Sequence, residues 1–153
     1  MTVIKHYTES LYYELLLTMK YLKMHATQVF EQECIELTPD EMASLDVIAC
    51  HSDICQRDLA KLILKDRANT GRILDSLEER GFIERNLVER NNRAIKQIAI
   101  TPCGQKYLAD VTVALRERFE DVQDVVSKDD IEVIFTSLKK IREAVGNIVK
   151  TQI

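Results

Sequence analysis

Between Thr38 and Thr101 the chain is punctuated by residues that start and stop short elements, and their order leaves few folds open. "TPDE" at 38–41 offers Thr38 as an N-cap, proline at the first helical position and Glu41 as the third, the pattern of a capping box. The helix that follows is expected to run through Cys50 and to bury Leu45, Ile48 and Ala49. "SDICQ" restarts the chain, with Asp53 as cap and Gln56 three residues on. Leu59, Leu62 and Ile63 should face inward on this second short helix, which stops near Leu64–Lys65. "KDRANTGRILDSLEERGFIER" then carries a helix over 66–80, closed by Gly81 where a left-handed backbone is needed. "FIER" and "AIKQIAIT" read as strands around the polar turn "ERNNR" at 89–93. Two short helices joined by a turn and followed by a β-hairpin describe a winged helix-turn-helix of about 65 residues.

Long helices flank this centre. Tyr12, Leu15, Met19, Leu22, Ala26 and Val29 recur at alternating gaps of three and four, a heptad seam, and Leu11, Tyr13 and Leu16 add a second apolar edge. Leu108, Val111, Leu115, Phe119, Val122 and Val126 mark another helix beginning after Thr101–Pro102. Ile131, Ile134, Leu138, Ile141, Val145 and Ile148 mark the last, with Ser127 as N-cap and Asp129 and Asp130 in its positive first turn. These seams hold more apolar surface than one small core can cover, which predicts a homodimer. The expected architecture is mainly α: a dimerisation helix in 1–34, the winged helix-turn-helix with its small β-hairpin wing in 35–102, and dimerisation helices in 103–153.

A net charge of −4 looks unfavourable for a nucleic-acid partner until it is divided along the chain. Residues 55–106 hold eleven Lys or Arg against seven Asp or Glu, so this segment is +4. The remaining ten basic and eighteen acidic residues make the ends −8. A basic centre between acidic ends suits a localised surface for a polyanion.

On the 66–80 helix, about 100° per residue gathers Thr70, Ile73, Leu74 and Leu77 on one side. Ala68 and Arg72 lie opposite, Asn69 and Gly71 on the flanks, and Asp75 and Glu79 one and two turns later. The first two turns therefore offer groups that read a major groove: arginine for guanine O6 and N7, asparagine for adenine N6 and N7, alanine for a thymine methyl. A glycine inside a helix costs about 1 kcal/mol relative to alanine, and close approach of DNA to the backbone would explain Gly71. The expected DNA-binding residues are Arg67, Ala68, Asn69, Gly71 and Arg72 on the helix, with Arg90, Asn92 and Arg93 on the wing.

The chain resembles the MarR family of transcriptional regulators through "LTPDEMASLDVI", "RDLAKLILKDRANTGRILDSLEERGFIER" and "ERNNRAIKQIAITPCGQKYL", roughly residues 37–108. Leu59–Ala60, the run from Leu77 to Gly81, and Ile100–Thr101 followed by Gly104 together carry the likeness. The resemblance implies a cytoplasmic, bacterial, homodimeric repressor on a palindromic double-stranded DNA operator, released by a small ligand or by oxidation. It also implies an Asp-Arg-Arg run at the wing, where this chain has Asn91-Asn92-Arg93, so that a minor-groove contact would pass to Arg90 or Arg93.

Tyr12, Tyr13 and His25 on the first helix are candidates for an aromatic effector, and aromatic residues at helical spacing also serve as plain core. Two thiols are candidates for a redox switch. Cys34 sits in the acidic run "EQECIE" and Cys103 at a helix start; inert thiols are the other reading. Cys50, His51 and Cys55 lack an evident fourth ligand, so no metal is expected. With no His beside a nucleophile at motif spacing, no Gly-rich phosphate loop and no HExxH, no enzyme and no cofactor are expected. The apolar stretches are interrupted by Glu14, Lys20 and Lys23, so no membrane partner is expected. Besides the ligand-released repressor, a thiol-based redox regulator and a winged-helix protein-interaction adaptor remain open.

Overall fold

Local signals place most of the element boundaries. The computed structural model describes residues 6–90, 92–123 and 125–149, except for the side chains of Arg90, Arg93 and residues 121–123. Within them the order is a 3₁₀ turn (Tyr7–Glu9), α1 (Leu11–Gln32), α2 (Pro39–Ala49), α3 (Gln56–Leu62), α4 (Arg67–Glu79), β1 (Ile83–Arg90), β2 (Arg93–Ile100), α5 (Pro102–Gln123) and α6 (Lys128–Ile148). This is the mainly helical winged helix-turn-helix expected from the sequence. By contacts the chain divides into two compact units, one up to Pro39 and one from Asp40 onward.

In the first unit, Ser10 caps α1 by accepting the Tyr13 N–H at 3.1 Å. Val29 and Phe30 are buried, while Leu11, Tyr12, Met19, Leu22 and Met24 are exposed. After α1 the chain turns through Cys34 in the left-handed region, φ +53°, and the Ile35 N–H returns to the Phe30 carbonyl at 2.9 Å.

In the second unit α2, α3, α4 and the hairpin share a core of Met42, Leu45, Ile48, Ile54, Leu59, Ala60, Leu74, Leu77, Phe82, Ile83 and Ile98. The hydroxyls of the buried residues Ser44 and Thr70 are satisfied within their own helices, Ser44 donating to the Asp40 carbonyl at 2.7 Å and Thr70 to the Asp66 carbonyl at 2.8 Å. The buried Tyr107 hydroxyl, by contrast, has no hydrogen-bond partner among the described residues. Two inward-facing expectations are corrected. Ala49 is exposed at the end of α2, with Met42 and Ser44 buried instead. Leu62 is 53% exposed, because the inner face of α3 centres between Leu59 and Ala60 and leaves Leu62 at its edge.

The start of α3 is also corrected. Its N-cap is Cys55, whose side chain makes no cap bond. Asp53 instead accepts from the Gln97 amide of β2 at 2.8 Å, and the same amide donates to the Ser52 carbonyl at 2.7 Å. With the Ile98 N–H on the Ile54 carbonyl at 2.9 Å, Cys55 forms an isolated antiparallel bridge to Gln97 of β2. That pairing anchors the base of the wing to the segment entering α3.

The hairpin is longer than the sequence suggests. β1 and β2 pair antiparallel from Ile83↔Ile100 to Arg90↔Arg93, and Asn92 takes the left-handed conformation at the tip, φ +58°. Ile83 and Ile98 are buried at its base, whereas Leu87 is exposed. α5 begins where Thr101 Oγ1 accepts the Gly104 N–H at 3.0 Å, and Ser127 Oγ accepts the Asp130 N–H at 3.2 Å at the start of α6. Among the described residues, no helix is long and apolar enough to cross a membrane.

Candidate nucleic-acid interface

The first turn of α4 is fixed from several directions. Asp66 caps the helix, Oδ1 accepting the Asn69 backbone N–H at 2.8 Å, and its second oxygen accepts from the Asn69 side-chain amide. These bonds, the backbone one first, hold the Asp66 carboxyl below the usual aspartate range, so it stays an ionised acceptor at neutral pH. From α3, the Gln56 amide donates to the Arg67 carbonyl at 3.1 Å. Thr70, Leu74 and Leu77 are buried on the inner face. Arg67, Ala68, Asn69 and Arg72 are all exposed, and among the described residues neither the Arg67 nor the Arg72 guanidinium makes an ion pair. Helical periodicity places Ala68 and Arg72 outside and Asn69 on the flank; it does not place Arg67.

Gly71 is half-buried, and a Cβ built on it would lie 3.4 Å from Gln56 Nε2. The absent side chain therefore faces α3. Within the protein that spacing is a contact which the end of a flexible glutamine accommodates.

The acids at the far end of α4 are partly neutralised by a residue that the sequence reading passed over. Arg85 of β1 donates to Asp75 Oδ1 at 2.8 Å and, through Nε, to Glu78 Oε2 at 2.9 Å; a second guanidinium nitrogen also reaches Glu78, and the Arg85 backbone N–H donates to Glu78 Oε1 at 3.2 Å. This clamp ties α4 to β1 and partly neutralises two carboxylates. The signal in the sequence was an arginine one strand pair above the buried Ile83, facing the same side.

The hydrogen bonds from Arg85 hold the Glu78 carboxyl below its ordinary value of 4.5. A carboxylate with a depressed folded pKa stabilises the fold above its unfolded pKa, and that contribution is lost as pH falls through the folded value. Arg85→Gln should therefore lower stability by about 1 kcal/mol at neutral pH, the upper end for a partly exposed pair. The difference from wild type should shrink below about pH 4. Urea midpoints at neutral and acid pH check it, and a difference that stays constant would show the clamp to be electrostatically idle.

On the wing, Asn92 is exposed at the tip. The side chains of Arg90 and Arg93 lie outside the described residues, although the backbone pairs these two positions as the last rung of the hairpin. Elsewhere, Tyr13 is half-buried and Tyr12 exposed on α1, and both rings neighbour Tyr7, with centroids 5.5 and 6.2 Å away. His25 is half-buried on the same helix. Cys34 and Cys103 are exposed free thiols. No cluster of metal-ligating side chains occurs among the described residues.

A capped helix with a free polar outer face, set between a short helix and a two-stranded wing, defines the chain as a winged helix-turn-helix protein. A sequence model of the MarR family matches residues 37–95, so this segment is similar to that family. The fold is similar to that of the S. aureus MepR–DNA complex, at 22% identity and TM-score 0.74 over 88% of this chain and 98% of that one. It is similar to apo MarR from E. coli, at 17% identity and TM-score 0.69 over 86% and 96% of the two chains. Bordetella bronchiseptica BpsR, whose DNA binding is regulated by 6-hydroxynicotinic acid, matches at 14% identity and TM-score 0.79 over 90% and 96%. At these identities the likeness is one of fold.

Proposed function

We propose that this protein is a sequence-specific transcriptional regulator, a homodimeric repressor on a palindromic double-stranded DNA operator. Residues 35–102 form the DNA-binding domain, and segments 1–34 and 103–153 supply the dimer contacts. The observation that carries this reading is the outer face of α4: Arg67, Ala68, Asn69 and Arg72 are exposed on a helix whose first turn is pinned by Asp66 and Gln56. The MepR–DNA complex supports the same use of a similar fold. Release by a small aromatic ligand near Tyr12, Tyr13 and His25 belongs to the proposal, supported by the tyrosine cluster and by the effector of BpsR. Exposure of Cys34 and Cys103 favours a second reading, a thiol switch. Loss of DNA binding after peroxide in wild type, but not in a Cys-free variant, would select it.

The test separates two classes of arginine. Arg72→Ala should cost about 1–3 kcal/mol on the operator and flatten discrimination among sequence variants, because a bidentate base contact is lost. Arg93→Ala should weaken operator and scrambled DNA alike and reduce the salt slope by about one. Titrations of both variants at several salt concentrations give the answer. Equal losses on both DNAs for Arg72→Ala would remove its base-reading role.

A further inference from the structure

The bond between Asp66 and the Asn69 side chain is more than a helix start requires. An N-cap needs one acceptor for a backbone N–H, and Asp66 Oδ1 already fills that role at 2.8 Å. The second carboxylate oxygen holds the Asn69 Nδ2 as well, so one residue grips Asn69 by backbone and side chain together. Immobilising a flexible side chain at an interface costs conformational entropy when it happens on binding. Here the amide is oriented before any partner arrives. The bond uses one of the two Nδ2 hydrogens, leaving Oδ1 as acceptor and the second N–H as donor. Those two groups are what adenine N6–H and N7 require in the major groove. The neighbouring backbone is held too, by Gln56 on the Arg67 carbonyl at 3.1 Å and by Thr70 Oγ1 on the Asp66 carbonyl at 2.8 Å.

We propose that Asp66 is a positioning residue for base recognition, presenting the Asn69 amide ready-oriented to one adenine in each operator half-site. The proposal rests on the DNA-reading role given above and adds to it a base, a residue and a supporting carboxylate.

The experiment uses the full chain and a library of random duplex DNA. Selection with wild type should enrich sites with an A·T pair at the same place in both halves. Asn69→Ala should lose preference at that position alone. Asp66→Ser keeps an N-cap of equal quality but lacks the second acceptor. It should retain the wild-type melting temperature while discrimination at the same position falls about tenfold, the scale of one good bidentate contact. Replacing that adenine by 7-deazaadenine, which lacks N7, should weaken wild type about five- to tenfold and leave Asn69→Ala unaffected. If Asn69→Ala enriches the wild-type motif unchanged, Asn69 belongs only to the cap and the proposal is overturned while DNA reading stands. If wild type enriches no sequence, the DNA-reading function itself fails, a result that cannot be mistaken for the first.

Discussion

Gly104→Ala is expected to destabilise the protein by about 3 kcal/mol, the upper range for overpacking a filled site. A Cβ at this position would lie 2.1 Å from the Phe82 carbonyl oxygen, 2.9 Å from its carbon and 2.9 Å from Ile100 Cγ1. The Phe82 carbonyl has nowhere to go, because it accepts the Thr101 N–H at 2.9 Å while the Phe82 N–H is held by the Leu77 carbonyl at 3.0 Å. The Phe82 ring is stacked on Tyr107 of α5 at 4.5 Å, and Thr101 Oγ1 donates to the Gly81 carbonyl at 2.6 Å. Every route by which the clash could relax pulls apart the junction of α4, the hairpin and α5. For a chain of this size the loss should appear as a fall in Tm of about 6–12 °C. Gly146 provides the control: nothing lies within 4 Å of a Cβ there, and alanine in that helix should be neutral or stabilise by up to about 1 kcal/mol. Circular-dichroism melts of the two variants decide it. A small effect at Gly104 would mean that α5 slides freely over the turn at Phe82.

The same junction shows what was legible in the sequence. Signals that act within a few residues were read correctly: proline opening α2, Ser127 capping α6, and Gly81 ending α4. At Gly81, φ is +73° and the N–H groups of Gly81 and Phe82 return to the carbonyls of Glu78 and Leu77 at 2.9 and 3.0 Å. Long-range pairings were invisible. Asp53 looked like a cap because nothing nearby shows that Gln97, 44 positions on, takes its carboxylate. β1 was cut short at Arg85 because "NLVER" lacks a clean alternation; its outer rungs are held by backbone pairing with β2. On the candidate interface, helical periodicity correctly put Ala68 and Arg72 outside. It could not reveal that Arg85 pairs with Asp75 and Glu78, that Gly71 faces Gln56, or that Asp66 holds the Asn69 amide. Those facts depend on which helix and strand α4 meets.

The largest functional loss is expected from a change far from α4. α6 is 21 residues long and none of them is buried, although an amphipathic helix in water depends on packing its apolar face. Ile134, Leu138, Val145 and Ile148 lie on its heptad seam at 45%, 36%, 47% and 79% exposure, and Val133 and Phe135 widen the apolar surface. Contiguous patches of that kind mark an interaction surface, and a second copy of the chain is the occupant that the proposed palindromic operator calls for. Two carboxylates at the centre of the seam, in Ile134→Glu with Leu138→Glu, would be desolvated facing their own copies across a two-fold axis. The double variant should sediment as a monomer at micromolar concentration. Its winged helix-turn-helix should remain intact, because the buried core residues Leu45, Leu59, Leu74 and Ile98 lie in α2, α3, α4 and β2, while no residue of α6 is buried. Affinity for the full operator should nevertheless fall about 10²- to 10⁴-fold, since the second half-site is no longer bound from an effectively high local concentration. Affinity for an isolated half-site should hardly change. A double variant that sediments as a dimer and binds the operator normally would place the interface elsewhere, and a wild type that is monomeric at micromolar concentration would end the dimer reading. A loss seen equally on half-site and full operator would instead mean that α6 supports the recognition helix within one chain.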